Sequence, residues 1–257
     1  SFLKTCGLPD TVGEPRQPVP ADRREVGIVT PLYRGIREKF GPLKRLDYHL
    51  DLPLGAGRVI GNVEILEITN RLVIYFIDQP QFFDRSSLYQ EDGHDFLDNA
   101  DRFIFFSKAV AHLARYLPNP PELVHVHDWQ VGLVPLFVKN QQRDFGWEAP
   151  PASCVTIHNL AYQGFFPANA FSLTNLPPEY FSPAGVEFHS GLNCLKAAIL
   201  YADMITTVSP RYAREIATEA LGCGLDGVLR ARQDSLVGIL NGVDYAEWNT
   251  TGNDNLR

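Results

Sequence analysis

An α/β fold, a parallel sheet flanked by helices, is predicted by three features of this 257-residue chain. Short segments rich in Val, Ile and Leu recur, helical patterns lie between them, and polar side chains with potential chemistry stand at their carboxyl ends. Strands alternating with helices imply parallel pairing through right-handed crossovers.

In chain order, EVGIVTP (25–31), RLVIYFID (71–78), ELVHVHD (122–128), SCVTIHN (153–159), DMITTVS (203–209) and SLVGILNG (235–242) read as buried strands. The stretch 41–62, with more polar alternation and glycine, predicts an antiparallel hairpin inserted at a sheet edge. Helices are predicted at 98–116, 129–142, 193–202 and 210–220, with Asp98 or Asn99 and Ser209 as amino-terminal caps. Residues 160–192 hold four prolines and many aromatics without a clean period, which predicts a long ordered loop over the rim of the sheet.

Composition sets the classes of function. A content of 45% hydrophobic and 21% charged residues suffices for a sizeable core. The apolar runs at 72–77 and 154–157 are too short to span a bilayer, and the first residues lack the charged start and apolar segment of a secretory leader, so a soluble protein with no membrane partner is expected. Cys6, Cys154, Cys194 and Cys223 are scattered without a CxxC pair, which suggests neither a zinc site nor a disulfide framework and fits reduced thiols in an intracellular compartment. The formal charge of −7, with no run of lysines and arginines, argues against nucleic acid and leaves a neutral polymer as a partner. With no DxD, HExxH or P-loop, no motif demands a metal or cofactor.

Four strands end in Asp78, His127–Asp128, His158–Asn159 and Ser209. Ligands of open α/β sheets gather beyond the carboxyl ends of the strands, so this pattern collects Asp128, His158 and Asn241 along one rim. On the residues alone, Asp128 also suits a cap for the helix at 129–142, a strand-end histidine is more often structural, and Asn241–Gly242 reads equally as a turn.

Six segments in order, KTCGLPD (4–10), LYQEDGHDFLDNADRF (88–103), HVHDWQ (125–130), TIHNLAYQG (156–164), LKAAILYADMITTVSPRYAREI (195–216) and GILNGVDYAEWN (238–249), resemble the motifs of ADP-glucose-dependent starch and glycogen synthases. These are retaining glycosyltransferases of the GT-B type, with two Rossmann-like domains across a cleft. The resemblance implies that residues 1–257 form the amino-terminal catalytic domain, with the family's first strand and the carboxy-terminal nucleotide-binding domain missing. Exposed sheet edges and poor solubility are expected in that case. It further implies ADP-glucose and an α-1,4-glucan as partners, and a cytoplasmic location, or the stroma of a plastid in a plant or alga.

By the same resemblance, Asp128 and His158 are catalytic, and Lys4, Gly7, Tyr89, Asn159 and Asn241 bind substrate. A retaining transfer must stabilise a departing diphosphate and a glycosyl centre with oxocarbenium character, which calls for cations, amide donors and well-placed sugar contacts. Lys4 beside Gly7 suits a phosphate or sugar hydroxyl, although a lysine in a turn is otherwise ordinary. A phenol such as Tyr89 offers a stacking face and a hydroxyl, or plain core packing. Glu215 is expected to be structural. Several positions depart from the family pattern. Cys6 stands in place of a glycine, Pro15, Pro18 and Pro20 interrupt the first helix, Gln130 replaces a histidine, and His189–Ser190 replace Tyr-Gly. These motivate a competing expectation, a non-catalytic glucan-binding or regulatory module.

Overall fold

The computed structural model describes residues 25–242. Lys4, Gly7, Cys6 and Pro15–Pro20 lie outside the described residues, as does most of the 238–249 motif.

Two four-stranded ladders and the helices between them share one hydrophobic core. The first ladder runs in the order β1 (Val26–Pro31), β4 (Leu72–Asp78), β3 (Gly57–Thr69), β2 (Lys44–Leu54). β1 and β4 pair in parallel, while β2 and β3 form the expected antiparallel hairpin at the ladder's edge. Alternation fixes the hairpin's register: Leu50, Leu52 and Leu54 are buried while the residues between them are exposed, so a one-residue slip would turn the leucines to solvent. Gly55, at φ 59, turns the chain into β3.

The second ladder is all parallel, in the order β13 (Leu236–Gly238), β12 (Met204–Thr207), β8 (Ala152–Ile157), β7 (Leu123–His127). Among the described residues, β1 and β7 are edge strands of separate ladders. One face of this second sheet is buried through Val126, Val155, Ile157, Ile205 and Thr207. The other carries Leu123, His125, His127, Cys154, Thr156, Met204 and Thr206, all exposed or half-buried.

Three helices build the layer around the core: α3 (Asn99–Tyr116), α4 (Val134–Phe145) and α5 (Cys194–Tyr201), with α4 packed against both of the others. Their caps differ in part from expectation. Ser209 caps α6 (Pro210–Glu215) by accepting from the N–H of Tyr212, as its position predicts, and Asn193 caps α5 in the same way. Neither Asp98 nor Asn99 caps α3. The Asp98 carboxylate pairs with Arg85, and the Asn99 amide bridges Arg102 and the Tyr89 carbonyl.

The helix expected at 129–142 is divided into a 3-10 turn, Trp129–Val131, and α4. Pro135 lies in the first turn of α4, where its missing N–H costs nothing. The helix expected at 210–220 ends at Glu215, and the chain turns through Cys223 and Gly224 at positive φ before α7 (Asp226–Ala231). β13 is shorter than 235–242. The stretch 160–192 is not a plain loop: it forms a small antiparallel sheet of β9 (Phe165–Pro167), β10 (Glu187–Phe188) and β11 (Gly191–Asn193), linked by 3-10 turns. Strands of two or three residues leave too little periodicity to read in a sequence.

Candidate active site

Asp128 forms a corner where β7 ends. Its backbone sits at φ 57, ψ −164, a region that a non-glycine residue occupies at a cost of about 1–3 kcal/mol. Its N–H donates to the Thr156 carbonyl at 3.0 Å, and its buried Oδ1 accepts from the N–H of His158 at 2.7 Å. The side chain therefore does not cap the turn at 129–131. It fastens the end of β7 to the end of β8. Burial raises the carboxyl pKa, and the His158 N–H opposes that shift.

His158 is half-buried, and its Nε2 lies 3.0 Å from Nδ1 of His127. The His127 ring stacks on His125, with centroids 4.4 Å apart. Burial, reinforced by the neighbouring imidazoles of His125 and His158, pushes His127 down to about 3, so it is neutral at ordinary pH. Sequence reasoning marked His127 as a strand-end residue but gave neither it nor His125 a role in the site. The signal for them was the spacing of two residues, which puts both rings on one face of a strand.

Asn159 spends its side-chain oxygen within its own loop, accepting from the N–H of Ala161 at 3.0 Å, while its carbonyl accepts from Tyr162. The next N–H, of Leu160, donates to the Tyr212 hydroxyl at 3.0 Å, which pins the loop to α6. Gly164 closes the segment at φ 60, where a Cβ would lie 2.4 Å from the Trp129 ring. Much of the TIHNLAYQG motif thus shapes the rim.

Tyr89 reaches the same corner through rings: it lies 6.2 Å from Trp129 and 5.7 Å from Phe103. Fully buried Arg102 holds its loop by donating to the carbonyls of Phe82 (2.7 Å) and Leu88 (2.9 Å) and to Asn99 Oδ1 (2.6 Å). Asn241 is exposed, three residues past the end of β13 and at the same end of the sheet. The structure therefore joins Asp128 to His158 directly, sets Tyr89 against the adjoining tryptophan, and places Asn241 in the exposed segment after β13. Glu215, expected to be structural, pairs with Arg211 one turn away.

Among the described residues, no group of three or more His, Cys, Asp or Glu is arranged to hold a metal ion. No helix among them is long and apolar enough to cross a membrane.

Residues 1–231 match the family model described as the starch synthase catalytic domain. The chain belongs to that family. It is 41% identical over 249 residues to the glycogen synthase of Opitutus terrae, covering 96% of this chain and 52% of the relative. It is 42% identical over 252 residues to that of Thioalkalivibrio sulfidiphilus, with 96% and 51% covered. Among solved structures, the catalytic domain of starch synthase IV from Arabidopsis thaliana, bound to ADP and acarbose, matches with a TM-score of 0.83 and 28% identity, over 98% of this chain and 51% of that one. The chain spans about half the length of the curated relatives it matches.

His189 and Ser190 both lie at positive φ, 45 and 63, the region that favours glycine.

Proposed function

We propose that this chain is the donor- and acceptor-facing half of an α-1,4-glucan synthase, transferring glucose from ADP-glucose to the non-reducing end of glycogen or starch with retention. The reading is supported above all by the Asp128–His158 linkage at the strand ends of a starch synthase catalytic domain. A buried carboxylate close to the reacting sugars favours the positive charge that develops at the glycosyl centre. An imidazole at the end of the next strand orients the donor ring. In this reading Asp128 and His158 are catalytic, and Lys4, Gly7, Tyr89, Asn159 and Asn241 bind substrate. The ADP and acarbose of the Arabidopsis neighbour suggest the same two ligand classes here, an adenine nucleotide and an oligosaccharide.

We place the nucleotide and diphosphate contacts in the half of the family's length that this chain does not span, so the 257-residue chain alone turns over little. The cytoplasm, or the plastid stroma in a plant or alga, is the compartment that suits such a reaction.

The test is transfer of labelled glucose to glycogen by the longest reading frame of the gene, offered ADP-glucose or UDP-glucose, with the linkage of the product read by NMR. Preference for ADP-glucose and an α-1,4 product are expected. A β-linkage would overturn retention. Glycogen binding without transfer from either donor would favour a non-catalytic glucan-binding module.

A further inference from the structure

His127 lies outside the catalytic and binding roles proposed above, yet it makes the one side-chain hydrogen bond described for His158. Its Nδ1 stands 3.0 Å from Nε2 of His158, a distance that requires one ring nitrogen to donate and the other to accept. Two rings joined in this way cannot rearrange their protons independently. We propose that His127 is a positioning residue, which fixes the ring orientation and the tautomer of His158 at the rim of the sheet. The inference rests on the reading of His158 as the group that faces donor glucose.

The surroundings of His127 suit that task. Its ring is held by the His125 stack on one side and the His158 bond on the other, with the ring of His158 5.3 Å away, centroid to centroid. His125 is itself anchored. His125 Nε2 lies 2.6 Å from the Thr156 hydroxyl, which lies 2.6 Å from that of Thr206, itself 3.3 Å from the Val155 carbonyl. This chain across β7, β8 and β12 holds the ring on which His127 stacks. Burial keeps His127 neutral, so it presents one donor nitrogen and one acceptor nitrogen instead of two donors. Asp128 secures His158 from the other side by accepting its main-chain N–H. Backbone and ring are thus fixed by successive residues of β7 and its corner, an arrangement in which a partner just behind a reacting group governs its orientation.

Two readouts test the proposal in His127→Phe and His127→Asn; the asparagine places an amide near the position of Nδ1. Nitrogen-15 NMR of the 257-residue chain reads the His158 tautomer without any activity. A single tautomer is expected in the wild type and in His127→Asn, and averaged ring nitrogens in His127→Phe. In the longest reading frame, kcat for glucosyl transfer is expected to fall by on the order of 10²-fold in His127→Phe with KM changed much less, and to recover largely in His127→Asn. Identical His158 nitrogen shifts in wild type and His127→Phe would overturn the proposal. So would equal kcat in the two variants. If the wild type transfers no glucose, the function proposed above fails, while the NMR comparison still decides whether His127 sets the state of His158.

Discussion

Asp128 combines a strained backbone conformation with a carboxylate that accepts from the main chain of His158, and the two features have separable consequences. Asp128→Asn keeps an oxygen for that hydrogen bond and removes the buried charge. The Asp128 carboxyl titrates higher when folded than unfolded, so the folded chain binds more protons through the acidic range, and the aspartate costs stability as pH rises through its folded pKa. Urea melts should therefore show Asp128→Asn at least as stable as wild type at pH 7, with the difference shrinking as pH falls into the carboxylate range. Transfer by the longest reading frame should nevertheless drop by about 10²–10³-fold. Ser190 offers a simpler test. Its positive-φ backbone is held by a bond from its N–H to Glu187 Oε1 at 2.6 Å, which Ser190→Gly retains while removing the Cβ that disfavours this region. A gain of about 0.5–1 kcal/mol is expected in denaturant unfolding.

At the scale of elements, the LYQEDGHDFLDNADRF segment shows how a family motif divides into chemistry and support. Tyr89 faces the Asp128–Trp129 corner, while Arg102, one turn into α3, closes the loop from beneath with three hydrogen bonds and ring contacts to Phe83, Phe96 and Phe103. Arg102→Leu leaves the Phe82 and Leu88 carbonyls without this donor, and should cost about 3 kcal/mol while speeding hydrogen exchange across residues 82–99. The strand cores, the edge hairpin and α3 were legible in the sequence because apolar periodicity and strand-end chemistry mark them. The caps of α3 were not, since Asp98 and Asn99 are good caps whose side chains are taken by Arg85 and Arg102, partners that only the tertiary fold brings near. The pairing of Asp128 with His158 was legible only as a shared rim; that one accepts the other's main-chain N–H depends on the parallel register of β7 and β8. His127 was in view within the HVHDWQ motif, but a sequence does not show which of two alternating histidines meets a third from the next strand.

Across the whole molecule, buried Lys108 ties three parts together: from α3 it donates to the Pro53 carbonyl of the hairpin (2.6 Å), and to the Leu173 carbonyl (2.8 Å) and Asn175 Oδ1 (2.6 Å) of the segment that links β9 to β10 in the small sheet. Burial lowers its pKa to about 7. Above that value the folded chain binds fewer protons here than the unfolded chain, whose lysine titrates near 10.4, so stability contributed by this group rises from pH 7 towards pH 10. Lys108→Met should abolish that rise in thermal melts and lower stability overall by unpairing three acceptors. The second ladder presents Asp128, His158 and Asn241 beyond the carboxyl ends of its strands, with Tyr89 set against the adjoining Trp129, in a chain of the starch synthase catalytic domain family. The most direct measurement is incorporation of labelled glucose from ADP-glucose into glycogen by the longest reading frame, beside its Asp128→Asn and His158→Ala variants. Transfer by the wild type and its near loss in both variants is the predicted result; undiminished transfer in both variants would contradict the placement of the active site at this rim.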